Sequence, residues 1–209
     1  NQVFVAPGNG GTSLDQGIKN LKIDIKNADS IANTCNQNGI DLVIIGPEQP
    51  LVDGLVDDLQ LKNINVFGPS AKASRLEGSK AFSKEFFKKY KIPTANYATF
   101  NDIESALDHL KDISFPTVIK ADGLAAGKGV LICQTITEGK KALEEIFVDN
   151  AFGSAGNKVV IEDFLEGEEA SFIAVVSGEE IIPLATSQDH KAAYDGDKGP
   201  NTGGMGAYS

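Results

Sequence analysis

The chain has 209 residues, 41% of them hydrophobic, and a formal net charge of −10 at pH 7. A chain of this length can bury a core in one or two domains. The negative charge argues against nucleic acid and anionic membranes as partners, and no apolar run approaches a membrane span. Cys35 and Cys133 lie far apart and fit no metal or disulfide motif, so we expect both to be buried as small apolar residues. This composition is typical of a soluble, cytoplasmic protein.

The N-terminal part of the chain alternates short apolar strands with helices. Strands are predicted at residues 3–6, 21–25, 42–45 and 66–67, and helices at residues 27–39 and about 51–61. Asn27 is a good helix N-cap, and the third strand is too continuously apolar for a one-sided sheet. This order predicts a Rossmann-like, doubly wound α/β sheet, which binds its ligand at the carboxyl ends of its strands.

Glu48 and Pro50 stand at such a strand end and are therefore candidates for substrate contact. Glu48 also fits a simpler role, because an acid in the first turn of a helix complements the helix dipole. The residues alone leave both interpretations open.

The middle of the chain is predicted to begin with one long helix at residues 70–90, with Ser70 as its cap and Lys80 within it. Ile92-Pro93-Thr94 ends this helix and is a candidate domain junction. A β–α–β–β–α–β order follows as far as residue 164, which is typical of a small lid domain. An antiparallel strand pair is then predicted at residues 172–176 and 181–184.

A glycine-rich loop joins two strands of the predicted lid. An apolar strand ends at Lys120, and Lys128 follows between Gly127 and Gly129. Small residues let the backbone approach a ligand with free N–H groups, and two lysines add charge, which together suit a phosphate. The loop is not a Walker motif, because neither Ser nor Thr follows Lys128 and no helix opens there. A plain hairpin turn with solvated lysines is the competing interpretation.

A second segment carries acidic residues directly after an apolar strand. Glu162, Phe164 and Leu165 stand at the end of this strand, and Glu169 follows in a polar turn. A nucleobase could lie against the apolar side chains and bond the backbone edge, while a carboxylate accepts bonds from ribose hydroxyls. An acidic turn on a solvated sheet edge explains the same residues.

Together, the two segments resemble the ATP-grasp ligases. Further motifs are Val5-Ala6-Pro7-Gly8-Asn9, Gly46-Pro47-Glu48 with Pro50-Leu51-Val52, Phe67-Gly68-Pro69-Ser70, Leu76-Glu77-Gly78-Ser79-Lys80-Ala81-Phe82, Ser187-Gln188-Asp189-His190-Lys191 and Gly199-Pro200-Asn201-Thr202-Gly203-Gly204-Met205-Gly206-Ala207-Tyr208. These motifs resemble the phosphoribosylamine–glycine ligase family within the ATP-grasp ligases. The resemblance covers essentially the whole chain.

The resemblance implies roles for individual residues. The nucleotide site would comprise Lys80, Lys120, Gly127, Lys128, Gly129, Glu162, Phe164, Leu165 and Glu169. Within it, Lys120 and Lys128 meet phosphates, residues 162–165 form the adenine edge, and Glu169 takes the ribose. Substrate would contact Glu48, Pro50, Asp189, His190, Lys191, Thr202, Gly203, Gly204 and Met205. His190 is also explained as a hydrogen-bonded loop residue, and the glycines as a flexible loop. Beyond the two phosphate-positioning lysines, no catalytic residue is assigned.

The resemblance also implies a reaction in purine biosynthesis. ATP, glycine and 5-phosphoribosylamine would give ADP, phosphate and glycinamide ribonucleotide through a glycyl phosphate. ATP and Mg²⁺ are the implied cofactors, with Mn²⁺ as an alternative metal, and the partners are small-molecule substrates. Phosphoryl transfer needs positioning and charge neutralisation more than an acid–base residue. The alternatives are another ATP-grasp carboxylate–amine ligase and a non-catalytic nucleotide-binding module.

The expected domains are an N-terminal α/β substrate domain at residues 1–76 and an incomplete ATP-grasp domain at residues 77–209, with a lid at about 95–165. Relative to the family pattern, the first strand and the magnesium ligands fall outside this sequence. We therefore expect the 209-residue chain alone to be inactive as a ligase.

Overall fold

The computed structural model describes residues 2–125, 128–196 and 198–209. The chain divides into two compact units, Asn1–Gly78 and Ser79–Ser209. The division does not fall at Ile92-Pro93-Thr94, because this turn is tied to the helix before it: Ile92 N–H donates to the Phe87 carbonyl at 2.9 Å. The domain limits 1–76 and 77–209, with the lid at about 95–165, stay predictions.

The first unit alternates strands and helices, which confirms the predicted α/β class. Its elements are β1 (Val3–Val5), α1 (Gly10–Leu14), β2 (Ile18–Asn20), α2 (Ala28–Asn38), β3 (Val43–Ile44), α3 (Glu48–Val52), α4 (Leu55–Leu61), β4 (Val66–Phe67) and α5 (Ala71–Gly78). The strands form two parallel pairs, β1 with β2 and β3 with β4. An apolar cleft of about 370 Å³ is lined by residues of β1 and β3, among others.

Two predicted elements of this unit were wrong in their bounds. The strand predicted at residues 21–25 lies at β2 instead, because β2 pairs in register with β1 and the pairing ends where Leu21 N–H reaches the Val5 carbonyl. Ile23 still packs against the core without joining the sheet. The helix predicted at about 51–61 is two helices, since Gly54 between them has φ +93°, which no α-helix accommodates.

The second unit is built on a four-stranded antiparallel sheet. Its first elements are α6 (Lys80–Tyr90), β5 (Tyr97–Phe100), α7 (Ile103–His109), β6 (Thr117–Ala121), β7 (Val130–Cys133), α8 (Ile136–Phe147), a 3₁₀ turn (Gly153–Asn157) and β8 (Val159–Asp163). The strands lie in the order β5-β8-β6-β7. The predicted β–α–β–β–α–β order is therefore confirmed. Leu110, Leu143 and Ile146 pack on one face of the sheet against Ile119 and Ile161.

The long helix predicted at residues 70–90 was wrong, because the helix is broken at Ser79. This residue is extended, with φ −146°, and its hydroxyl accepts from Phe82 N–H as the N-cap of α6. The carboxylate of Asp122, which follows β6, accepts from Ala81 N–H at 2.6 Å and from the Ser79 hydroxyl. The Ser79 hydroxyl and the Asp122 carboxylate thus satisfy two N–H groups that a helix start leaves open, and Asp122 lies far away in sequence.

Two hairpins complete the second unit. They are β9 (Ala174–Ser177) with β10 (Glu180–Pro183), and β11 (Gln188–Tyr194) with β12 (Lys198–Tyr208). The antiparallel pair predicted around residue 178 is therefore confirmed. In the part of the chain that the structure describes, no helix is long and apolar enough to cross a bilayer.

Both cysteines are buried, as predicted. Burial raises the pKa of the Cys133 thiol to about 11, with smaller contributions from the Glu138 and Glu145 carboxylates, and burial also raises the pKa of Cys35. Because the thiolate is the reactive form, both side chains serve packing at neutral pH.

Candidate functional site

One carboxylate and two lysines meet on the face of the sheet opposite the apolar core. β6 and β8 are neighbouring antiparallel strands, and alternation along them places Lys120 and Glu162 on the same face. Lys84 reaches this face from α6. Its Nζ lies 2.9 Å from Glu162 Oε2, and the Nζ of Lys120 lies 3.0 Å from the same oxygen. The cluster carries two positive charges and one negative charge.

The second carboxylate oxygen of Glu162 is an unsatisfied acceptor. Oε1 is buried, and no group among the described residues donates a hydrogen bond to it. A buried acceptor without a partner costs about 1–3 kcal/mol, so such an atom calls for a donor from outside the protein. The exocyclic amino group of adenine is a donor of this kind. The site therefore fits the predicted nucleotide in both its charge and its hydrogen-bonding capacity.

The glycine-rich loop predicted to bind phosphates joins β6 and β7 and is named the flap. Its base is closed by Ala121 N–H, which donates to the Gly129 carbonyl at 2.9 Å, and Lys128 is exposed on the loop. A Cβ at Gly129 would lie only 2.7 Å from the Cβ of Ala125. Packing within the protein therefore favours glycine at this position, in addition to any close approach of the backbone to a ligand. Gly127, which the sequence also places in the nucleotide site, lies outside the described residues.

Lys80, the first residue of α6, contacts the start of this flap. Its Nζ donates to the Gly123 carbonyl at 2.9 Å, and its backbone N–H donates to the Asp122 carbonyl at 3.0 Å. The structure therefore brings Lys80 to the loop that carries Lys128, as a nucleotide site would require.

The predicted adenine edge leaves the sheet at the end of β8. Phe164 is half-buried, while Leu165 is 68% exposed and offers an open apolar surface. Glu169 follows in the turn and is exposed, and its Oε1 lies 2.8 Å from Lys191 Nζ. This hydrogen bond from Lys191 to Glu169 is the main reason why the pKa of Lys191 is raised. The predicted ribose carboxylate is thus held by a residue predicted to contact substrate.

The β11–β12 hairpin brings the remaining predicted substrate residues of this unit together. Thr202 Oγ1 donates to the Lys191 carbonyl at 2.9 Å and accepts from Gly204 N–H at 3.0 Å. Asp189 Oδ2 lies 3.5 Å from Lys191 Nζ. Met205 is 61% exposed on the same hairpin.

Two loop interpretations for this hairpin were wrong. Gly203, Gly204 and Met205 lie within strand β12, in the irregular stretch between the pairs Asn201 with Ala192 and Gly206 with His190. His190 lies in β11 opposite Gly206, and its ring stacks on Tyr208 with centroids 5.9 Å apart.

Glu48 and Pro50 belong to the first unit and lie in α3. Glu48 is the first residue of this helix, where an acid complements the helix dipole. Their contact with substrate stays a prediction.

Sequence reasoning missed two residues of the site, Lys84 and Asp122. Lys84 is only 6% exposed although most lysines on helices are solvated, and Asp122 caps α6. The spacing of four residues between Lys80 and Lys84, which places both on one helix face, is the one signal that could have indicated Lys84.

The chain matches known proteins over its whole length. Residues 1–77 match the family model of the phosphoribosylglycinamide synthetase N domain, and residues 78–209 match that of the phosphoribosylglycinamide synthetase ATP-grasp (A) domain. The chain is 54% identical over 208 residues to a phosphoribosylamine–glycine ligase of Pseudomonas syringae pv. tomato, and the match covers 100% of this chain and 48% of that protein. It thus spans about half the length of this curated relative.

Solved structures agree with the match in sequence. The phosphoribosylamine–glycine ligase of Thermotoga maritima superposes with a TM-score of 0.79 at 38% identity, over 99% of this chain and 49% of that one. The biotin carboxylase domain of a Hydrogenobacter thermophilus 2-oxoglutarate carboxylase, solved with MgADP and bicarbonate, has a TM-score of 0.67 at 22% identity, over 90% of this chain and 43% of that one. At that identity, the second likeness concerns the fold alone. Matched by both family models, the chain belongs to the phosphoribosylglycinamide synthetase family, with an N domain followed by an ATP-grasp domain.

Proposed function

We propose that this chain supplies the ATP site of a phosphoribosylamine–glycine ligase. The enzyme joins glycine to 5-phosphoribosylamine through a glycyl phosphate, using ATP, in cytoplasmic purine biosynthesis. The Lys84–Glu162–Lys120 cluster next to the flap is the observation that carries this proposal. It combines excess positive charge for phosphates with an unsatisfied acceptor for adenine. The family membership, with its ATP-grasp domain at residues 78–209, supports the same conclusion.

In this proposal the chain's own residues act by binding and charge neutralisation. Lys120 and Lys128 hold the phosphates, so that the negative charge that shifts during phosphoryl transfer is met by fixed positive groups. The exposed backbone after Glu162 orients the adenine, and Glu169 accepts from the ribose. Asp189, His190, Lys191 and the residues Thr202–Met205 lie on one hairpin and would face the substrates. For Glu48 and Pro50, which belong to the first unit, substrate contact is likewise only proposed.

Magnesium belongs to the proposed reaction, where it would offset phosphate charge. Among residues 2–125, 128–196 and 198–209, no group of three or more His, Cys, Asp or Glu side chains is placed to hold a metal ion. We assign no metal ligand among these residues.

The proposed function is tested by phosphate release from the complete enzyme that contains this chain. We expect release to require ATP, glycine and freshly generated phosphoribosylamine together, because the acyl phosphate forms on glycine and is consumed by the sugar amine. Release driven by another carboxylate in place of glycine would favour a different ATP-grasp ligase. ATP binding without turnover under any substrate combination would favour a non-catalytic nucleotide-binding module.

Glu169→Gln in the complete enzyme should raise the KM for ATP more than the KM for glycine, because the carboxylate is proposed to accept from ribose hydroxyls that glycine lacks. The measurement compares ATP with 2′-deoxy-ATP. Loss of a hydrogen bond to a charged group costs about 1.5–3 kcal/mol. Because 2′-deoxy-ATP lacks one of the ribose hydroxyls, Glu169→Gln should weaken its use less than it weakens the use of ATP.

Two control variants accompany this comparison. Glu168→Gln removes an adjacent exposed charge and should change neither KM. Lys191→Met removes the ammonium that contacts Glu169 and separates the effect of the ion pair from that of the carboxylate. If Glu169→Gln weakens the use of ATP and 2′-deoxy-ATP equally, Glu169 does not read the 2′-hydroxyl.

A further inference from the structure

Lys84 is an unusual lysine because it is almost completely buried. Its side chain is 8% exposed, and the side chain of Glu162 beside it is 6% exposed. The ammonium donates to Thr94 Oγ1 at 2.6 Å and to the Ala95 carbonyl at 3.4 Å, and it contacts Glu162 Oε2 at 2.9 Å. These three acceptors match the three donors of an ammonium group, so the position of Lys84 is fixed.

The buried position leaves Lys84 no room for a phosphate of its own. Lys120 is more open, with a side chain 26% exposed, and it shares Glu162 Oε2 with Lys84. Without Lys84, the carboxylate of Glu162 would cancel the charge of Lys120 one to one. With Lys84 in place, the three groups keep a net positive charge. Because Lys120 is the more exposed of the two lysines, a ligand meets this charge at Lys120.

We propose that Lys84 is a positioning residue that balances the carboxylate of Glu162 and so keeps the positive charge of Lys120 available to the phosphates of a nucleotide. The inference rests on the proposed ATP site. In this inference, Lys84 does not contact the nucleotide. Lys84 is instead the electrostatic partner of Glu162, and this role is separate from the place of Glu162 at the adenine edge.

The alternative is that Lys84 only anchors α6 to the sheet. The two roles differ in what they predict for ligands. An anchor affects all ligands of the site alike, whereas a charge balance affects ligands with phosphates far more than ligands without them. Its effect also depends on Glu162, because a neutral side chain at that position leaves nothing to balance.

The test is a double-mutant cycle in the complete enzyme, with the variants Lys84→Met, Glu162→Gln and the two combined. Calorimetric titration gives the dissociation constants of ATP and of adenosine, which lacks phosphates. We expect Lys84→Met to raise the ratio of the ATP constant to the adenosine constant by about tenfold. In the Glu162→Gln background, the same replacement should leave this ratio nearly unchanged.

Lys84→Arg is the matched control, because it keeps the charge and should keep the ratio close to that of the wild type. Equal loss of ATP and adenosine affinity in Lys84→Met, or an undiminished effect in the Glu162→Gln background, would overturn the inference. If Lys84→Met does not fold, the ratio is compared between Glu162→Gln and the double variant Lys84→Met/Glu162→Gln, which buries no unbalanced carboxylate. This comparison and the ratio in Lys84→Arg then decide, and a changed ratio in either one would overturn the inference. Wild-type protein that binds neither ligand would overturn the proposed function itself.

Discussion

Lys120→Ala in the complete enzyme should lower kcat/KM for ATP by about 10- to 150-fold, since a charge-assisted hydrogen bond to a phosphate contributes about 1.5–3 kcal/mol. The fold should survive this change. Glu162 keeps Lys84 as its partner at 2.9 Å, so no buried charge is left unbalanced. The KM for glycine should change much less, because glycine has no phosphate.

Steady-state kinetics with ATP as the varied substrate checks this expectation, and circular dichroism checks the fold. Lys128→Ala, on the exposed flap, should act in the same direction. Lys141→Ala is the control, because this lysine is 78% exposed on α8 and its removal changes the net charge equally. Unchanged ATP kinetics in Lys120→Ala or Lys128→Ala would remove that lysine from the site.

Ile119→Ala should lower the free energy of unfolding by about 2–5 kcal/mol, the range for removing a large buried aliphatic side chain. Ile119 is 0% exposed and packs in the cluster that contains Leu143 and Ile161. Because domains are stable by only about 5–15 kcal/mol, the variant loses a large fraction of its stability. Ile119 precedes Lys120 on β6, so we also expect the cavity to loosen the strand that presents this lysine.

Urea unfolding followed by circular dichroism measures this loss. The control is Ile132→Ala on the neighbouring strand β7, where the side chain is 46% exposed and the expected change is within about 1 kcal/mol. Equal unfolding midpoints for the two variants would show that the face of the sheet carrying Ile119 is not the main core of the unit.

Local patterns made much of this protein predictable. Asn27 caps α2 as predicted, and Gly39 ends that helix with φ 62°, because capping depends on a few neighbouring residues. The order of elements in the lid followed from apolar periodicity, and the glycine-rich flap followed from its composition. The family followed from motifs spread along the chain.

The break at Ser79 could not be predicted in this way. Helical periodicity continues through it, and the bonds that stop the helix come from Asp122, more than forty residues later. The shift of the second strand from residues 21–25 to β2 has a similar cause, because register with β1 overrode local hydrophobicity.

The sequence by itself determined the α/β class, the glycine-rich loop with Lys120 before it and Lys128 within it, and the family, because each depends on residue types within short windows or on whole motifs. Only the tertiary structure decided that Lys84 and Lys120 share one oxygen of Glu162 and that Glu169 is held by Lys191. The physical reason is that an ion pair forms between charges that the fold brings within about 4 Å, and this distance is unrelated to separation along the chain.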